Sequence, residues 1–435
     1  MDNPRKICLK ALLRVEGEGG YSNLVLQSLL KDVHMDKRDV TLCSALFYGV
    51  IDRKITLDYI LSRFSKVKLQ KMDMGILQIL RMGLYQMLFM DKIPPSAIVD
   101  ESVKLSKKVS GGHFSGFVNG ILRNILRNQQ NITYPVPENT VEYLSIIYSC
   151  PQDLVSLWLK SYGREDTEAI LADSLLPPPV TIRVNTTKTS GEEIVGLLEK
   201  ENVTVQPAED LPNAFYLSHT GAVEELTAYR NGFFHAQDVA SQLCCQVLCP
   251  KNGETVADVC AAPGGKSFTM AQLVGETGKI LSFDIHAHRV EQIKEGAARL
   301  GFKNITAKVR DAQKDTLSHK VDAMLVDVPC SGLGVIRRKP EIKYKPLENN
   351  LPDIQKAILE NSAAYVKPGG RLVYSTCTLN PKENQEVVNA FLKEHPEWIP
   401  MPFTLLGTEY KEGQGTLMPH KHKTDGFFIA LLQRN

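Results

Sequence analysis

Thr255-Val256-Ala257-Asp258-Val259-Cys260-Ala261-Ala262-Pro263-Gly264-Gly265-Lys266-Ser267 is the stretch that decides the fold. Thr255 to Val259 is a short apolar run interrupted by one acid, as in a strand buried on both faces. Small residues, a proline and two glycines then break the extended chain, and a helix is predicted to follow. A buried strand, a small-residue loop and a helix, in that order, begin a parallel α/β sheet.

Working outward, the same alternation continues. Strands are predicted at residues 279–283, 305–309, 323–326 and 371–374, with helices in the gaps, including 288–300 and 354–366. Buried strands joined by helical crossovers imply a parallel sheet covered on both faces. Upstream, Val180 to Asn185 reads as a strand, residues around Ile194, Leu197 and Leu198 as an amphipathic helix, and Val203 to Val205 as extended. That is a small α/β insert; Pro177-Pro178-Pro179 stops the helices before it. Short helices precede it, and Gln129 to Asn139, with Pro135 and Pro137, reads as a linker.

The first 130 residues have helical period throughout. Leu77, Leu80, Leu84 and Leu88 fall on one face; Phe114, Phe117, Val118, Ile121, Leu122, Ile125 and Leu126 fall on another. The expected division is therefore an all-helical domain at 1–130, a linker, helices and α/β insert at 131–231, and an α/β core at 232–435.

Charge follows that division. Residues 1–130 carry 20 Lys+Arg against 12 Asp+Glu, although the whole chain has a net charge of only +2. A basic block on a mildly acidic remainder fits a nucleic-acid partner; a solvated helical surface fits equally well on charge alone. With 43% hydrophobic and 23% charged residues the chain reads as a soluble globular protein. No stretch approaches the ~18 unbroken apolar residues of a membrane span, and the N-terminus lacks the pattern of a signal peptide. A cytoplasmic location and no membrane partner are expected. The nine cysteines include no CxxC pair, so no metal is expected, and reduced thiols stay available for chemistry.

Ligands of open α/β sheets bind at the carboxyl ends of the strands. The first such end enters Cys260-Ala261-Ala262-Pro263-Gly264-Gly265-Lys266, whose small residues let backbone N–H groups approach a ligand. A phosphate-binding P-loop would need glycine at 260, where Cys260 stands, and the dinucleotide GxGxxG pattern is absent. The next end is Asp284, 18 residues past Lys266 and placed to accept from ribose hydroxyls. Asp311 follows the third strand and suits an adenine edge. One such acid reads as a helix cap; Asp284, Asp311 and Asp327 at three ends point to a nucleoside-type cofactor.

The fourth strand ends Asp327-Val328-Pro329-Cys330-Ser331-Gly332 and the fifth Ser375-Thr376-Cys377-Thr378. Parallel strands bring both thiols to the edge that carries the cofactor loop, beside an acid. Spacing does not say which cysteine attacks.

These three motifs resemble the signatures of the NOL1/NOP2/Sun family of RNA cytosine-5 methyltransferases. The N-terminal helices, with Phe117-Val118-Asn119-Gly120-Ile121-Leu122-Arg123-Asn124, look like a NusB-type RNA-binding domain. Arg183-Val184-Asn185, Gln237-Asp238 and Ser241 match segments that flank the core in the same family. A NusB-like domain ahead of that core is the arrangement of the bacterial Sun/RsmB branch, which modifies small-subunit (16S) ribosomal RNA.

The resemblance implies a Rossmann-like class I methyltransferase core that binds S-adenosylmethionine through Cys260, Ala261, Ala262, Pro263, Gly264, Gly265, Lys266, Asp284, Asp311 and Asp327. It also implies that Cys377 is the nucleophile, that Cys330 assists release, and that Asp327 touches the base or the cofactor. Ribosomal RNA, naked or in an early particle, is the expected partner of a monomer. Carbon 5 of cytosine is a poor nucleophile until a thiolate adds to carbon 6, which is why such chemistry needs a cysteine. Basic residues after the Pro-Cys motif (Arg337, Arg338, Lys339, Lys343 and Lys345) are read as phosphate contacts or as a solvated loop. A non-catalytic RNA-binding protein and a P-loop hydrolase are the competing classes. The first predicts a core without a nucleophile or cofactor loop, and the second fails at Cys260.

Overall fold

Two compact units make up the chain: Met1–Leu176 with Ile336–Pro346, and Pro177–Val335 with Leu347–Asn435. The computed structural model describes residues 3–31, 33–208 and 211–435.

The first unit is helical. Its helices are Pro4–Glu18, Ser22–Lys31, Lys37–Asp52, Lys54–Phe64, Met74–Phe89, Pro95–Ser110, Ser115–Arg127, Thr140–Ile147 and Gln152–Asp173. Local chemistry sets several of the ends. The Asn3 side chain accepts from the backbone N–H groups of Arg5 and Lys6, and Pro4 occupies the first turn. Asp36 and Asp73 cap two further helices in the same way.

Met74–Phe89 is the central helix, buried from Gly75 through Leu84. Gly83 permits a close approach to the helix Ser115–Arg127, because a Cβ there would lie 2.9 Å from Leu122 Cδ1. Of the predicted faces, Leu77, Leu80, Leu84, Val118, Ile121, Leu122 and Ile125 are core, whereas Phe114 precedes its helix and is 43% exposed.

Ile336–Pro346 belongs to this unit and is not a solvated loop. Its 3-10 turn, Pro340–Tyr344, is held by the buried Glu341 and Lys343 and the half-buried Tyr344. Glu341 accepts from Ser22 N–H at 3.1 Å and from the Ser22 hydroxyl at 2.6 Å. Lys343 donates to the Asp52 carbonyl at 2.8 Å, and Tyr344 to the Ile51 carbonyl at 2.8 Å. Arg337 pairs with Asp173 at 3.5 Å. Lys339 and Lys345 lie 5.3 and 4.3 Å from the Tyr21 ring centre.

The second unit begins with an antiparallel sheet of β1 (Val180–Val184), β2 (Thr204–Pro207), β3 (Ala214–Ser218) and β4 (Phe234–Ala236), in the order β2-β3-β1-β4. The helix Gly191–Lys200 between β1 and β2 starts with a complete capping box of Ser190 and Glu193.

The larger sheet contains β5 (Thr255–Asp258), β6 (Lys279–Asp284), β7 (Ile305–Val309), β8 (Val321–Asp327), β9 (Val366–Thr376), β10 (Trp398–Pro400), β13 (Gln414–Leu417) and β14 (Phe427–Arg434). Its order is β10-β14-β9-β8-β5-β6-β7, with β13 on β14; β11 (Phe403–Leu405) and β12 (Thr408–Tyr410) form a separate hairpin. The five predicted strands are present and mutually parallel. The expected all-parallel sheet is in fact mixed: β14 runs antiparallel along β9, pairing Thr376 with Phe428 and Arg371 with Gln433. Strand order reverses between β5 and β8, which opens a crevice at their carboxyl ends.

Candidate active site at the strand ends

The loop after β5 is fixed from below. Asp258 is 1% exposed and accepts from the Ser267 hydroxyl at 2.7 Å, which ties the strand end to the first turn of helix Gly265–Val274. Burial pushes the Asp258 carboxyl up to about 7. Ala261 N–H donates to the Phe283 carbonyl at 2.7 Å, joining this loop to β6. Gly264 has φ +110°, and a Cβ there would stand 2.4 Å from the Phe268 ring, so no side chain fits.

A cavity of about 390 Å³ opens above this loop. Cys260, Ala262, Asp284, Asp311, Asp327, Cys330 and Cys377 all line it. Seven residues read from sequence at five strand ends therefore meet around one space. Ala261, Pro263, Gly264, Gly265 and Lys266 do not line it, and Ala261 is buried beneath.

The three acids differ in what they face. Asp284 accepts from His286 N–H at 3.0 Å and stands 3.8 Å from Arg289. Asp311 accepts from Gln313 N–H at 3.0 Å. Each thus fixes its own turn with one oxygen, while Arg289 and Lys314 stand 3.8 and 3.3 Å from the other; neither acid is a helix N-cap, since the helix Ala287–Leu300 starts after His286 and none starts at Asp311. Asp327 is the most exposed of the three, at 24% against 6% for Asp284 and 18% for Asp311, yet both its oxygens are bonded: Lys266 Nζ donates to one at 2.8 Å and the Ser375 hydroxyl to the other at 2.8 Å. Burial works against the Lys266 ammonium, but the Asp327 carboxylate outweighs it and holds that proton above the ordinary lysine range. The Lys266 contact positions Asp327 at the rim.

The Cys330 and Cys377 sulfurs stand 3.3 Å apart. The Cys377 sulfur first, and burial second, hold the Cys330 thiol well above its ordinary range. Either sulfur can donate in this contact.

Sequence reasoning missed several lining residues. Ile285 is 50% exposed beside Asp284 and gives the cavity an apolar wall. Arg310 also lines it, 4% exposed, with Nε and Nη1 unpartnered. Its only signal was its place before Asp311. Among the described residues, no helix is long and apolar enough to cross a membrane.

Residues 245–433 match the family model for the 16S rRNA methyltransferase RsmB/F, residues 2–127 the NusB family, and residues 150–224 the RsmF/B-like ferredoxin-like domain. The probable ribosomal RNA small subunit methyltransferase B of Bacillus subtilis (strain 168) is 39% identical over 99% of this chain and 98% of its own length. The ribosomal RNA small subunit methyltransferase B of Escherichia coli O1:K1 / APEC is 30% identical over 99% and 98%. Among solved structures, PH0851 superposes with a TM-score of 0.84 at 28% identity, covering 100% of this chain and 99% of that one. NSun6 from Pyrococcus horikoshii, crystallised with SFG, superposes with a TM-score of 0.60 at 25% identity, covering 65% and 98%.

Proposed function

The chain belongs to the RsmB/F family of 16S rRNA methyltransferases, and from that premise we propose that it methylates carbon 5 of a specific cytosine in 16S ribosomal RNA with Cys377 as covalent nucleophile. The observation that carries this reading is the pair of sulfurs 3.3 Å apart on the wall of a cavity that also holds Asp284 and Asp311.

The cavity suits S-adenosylmethionine. Asp284 and Asp311 offer carboxylate acceptors to ribose hydroxyls and an exocyclic amine, Ile285 offers an apolar wall, and Ala262 leaves room beside Cys260. When bound, the cofactor supplies an electrophilic methyl carbon. The chain's own residues prepare the base. Cys377 adds to carbon 6, forming an S–C6 bond and moving electron density to carbon 5. After methylation carbon 5 loses its proton, the C5–C6 double bond re-forms, and Cys377 leaves as thiolate. Cys330, 3.3 Å from Cys377, serves that release as the base: once its own proton has passed to solvent, its thiolate takes the carbon 5 proton. Asp327, fixed by Lys266 and Ser375, faces the base or the cofactor.

Residues 1–130 serve as the RNA-binding domain, 131–231 connect, and 232–435 catalyse. The monomer acts in the cytoplasm, with the target base turned out of its helix or loop into the pocket.

Incubating the purified chain and labelled S-adenosylmethionine with naked 16S RNA, and separately with small-subunit particles, tests the reading. Bisulfite sequencing should show one cytosine protected from deamination in at least one of the two substrates. Label incorporated with no protected cytosine would overturn it.

A further inference from the structure

Six residues past Cys377 lies Glu383, buried to 1% exposure and outside the cavity lining. Its carboxylate accepts four hydrogen bonds. One oxygen takes the Ser331 hydroxyl at 2.6 Å and Asn380 Nδ2 at 2.9 Å. The other takes Ser331 N–H at 2.8 Å and Gln355 Nε2 at 2.9 Å. Gln355 Nε2 also donates to the Pro329 carbonyl at 3.0 Å, and the Ser331 and Thr378 hydroxyls are 2.7 Å apart.

The residues flanking Cys330 (Pro329 and Ser331) are thereby tied to those following Cys377 (Thr378 and Asn380) through one carboxylate. A buried carboxylate with every lone pair occupied holds its donors far more firmly than surface contacts do.

We propose that Glu383 is a positioning residue that locks the Cys330 loop against the Cys377 loop and so keeps the release step working, an inference that rests on the covalent reading above. An amide cannot replace it, because its NH₂ would meet two of the four donors. Glu383 also adds, after Cys377 and burial, to the upward shift of the Cys330 thiol.

The test uses full-length Glu383→Gln beside Cys330→Ala, with denaturing gels of enzyme–RNA mixtures with and without S-adenosylmethionine. Glu383→Gln is expected to bind the cofactor within about twofold of wild type. It should turn over about 10²-fold more slowly, the cost of a misplacement near 1 Å. It should also accumulate a methyl-donor-dependent adduct, as Cys330→Ala does.

Wild-type turnover without adduct would overturn the inference, as would lost cofactor binding without adduct. Should Cys330→Ala itself form no adduct, the release reading fails, and a second measurement decides on Glu383. Mass spectrometry of iodoacetamide labelling against pH should show Cys330 reacting at lower pH in Glu383→Gln; an unchanged profile sinks the inference. If Glu383→Gln does not fold, Ser331→Ala, which removes one donor, should give the same adduct and the same labelling change at smaller amplitude; if it shows neither, the inference falls.

Discussion

The strand-end rim of the second unit and the Ile336–Pro346 segment of the first are neighbours in sequence, and both are rich in polar side chains. They use those side chains in opposite ways. Around the rim, Asp284, Asp311, Cys330 and Cys377 all line one cavity. In the segment, Glu341 and Lys343 are buried to 5% and 4% exposure and bonded to Ser22 and Asp52. Residues at strand ends converge because parallel strands deliver them to one edge, whatever lies between. A run of basic residues in a loop carries no such constraint. Its charge suggests phosphate, but only the fold shows that Lys343 is an anchor.

The largest effect expected from this contrast is at the rim. Cys377→Ala should abolish methylation and leave cofactor affinity within about twofold, since Asp284 and Asp311 belong to other strands. Calorimetry with S-adenosylmethionine and a methylation assay on the same preparation check both halves. Retained turnover, or lost cofactor binding, would break the distinction between thiol chemistry and the nucleoside pocket.

The segment should respond in stability. Lys343→Ala removes a buried donor and one of the charges that offset burial of Asp52, at a cost of about 2–3 kcal/mol. Lys345→Ala, on the exposed side of Tyr21, should cost under ~0.5 kcal/mol. Denaturant titrations of the two variants compare them directly. Equal costs would mean that Lys343 is no more structural than its neighbour.

How much of this was legible follows the same line. The five parallel strands, the loop after β5 and both rim cysteines were readable, because strand period and turn chemistry are local. The antiparallel β14 was not read. Phe427 to Leu432 is buried on both faces and has no alternation, so nothing local separates a strand from a buried helix. Glu383 was missed for another reason: its partner Ser331 lies 52 residues away in sequence, and no pattern marks that distance. Phe114 was assigned to a core face by helical spacing, but its helix starts one residue later.

Acid should pull the two units in opposite directions. Burial pushes the His235 pKa down to about 3, so the folded second unit refuses a proton that the unfolded chain takes below its ordinary value of 6.5. Stability from His235 is complete above pH 6.5 and is lost as pH falls, by at most about 1.4 kcal/mol per pH unit. Burial pushes Asp52 up to about 6, against 3.8 ordinarily, so the folded first unit holds a proton that the unfolded chain has released. Its contribution grows as pH falls from 6 towards 4. Thermal unfolding between pH 4 and 7 should therefore show a shallower acid loss in His235→Gln than in wild type, and a steeper one in Asp52→Asn. Parallel curves for all three would show that neither group drives the pH response.

The smallest expected effect concerns RNA. Lys6, Lys104, Lys107 and Lys108 surround one cavity on the helical unit and are exposed, unlike Lys343. Deleting residues 1–130 is a poor test of their role, because Ser22, Ile51 and Asp52 hold Glu341, Tyr344 and Lys343, and the deletion would strand all three. Substituting Lys6, Lys107 and Lys108 by Gln leaves those bonds intact. If these ammonium groups meet phosphates, each lost contact should flatten the slope of log K against log salt by ~0.7–0.9. The triple variant should then bind 16S RNA more weakly at low salt and converge with wild type as salt rises. The labelled methyl transferred per bound RNA should stay the same, because none of the substituted residues lines the cavity of the second unit. An unchanged slope would assign the basic face to a protein partner and leave RNA binding to the second unit.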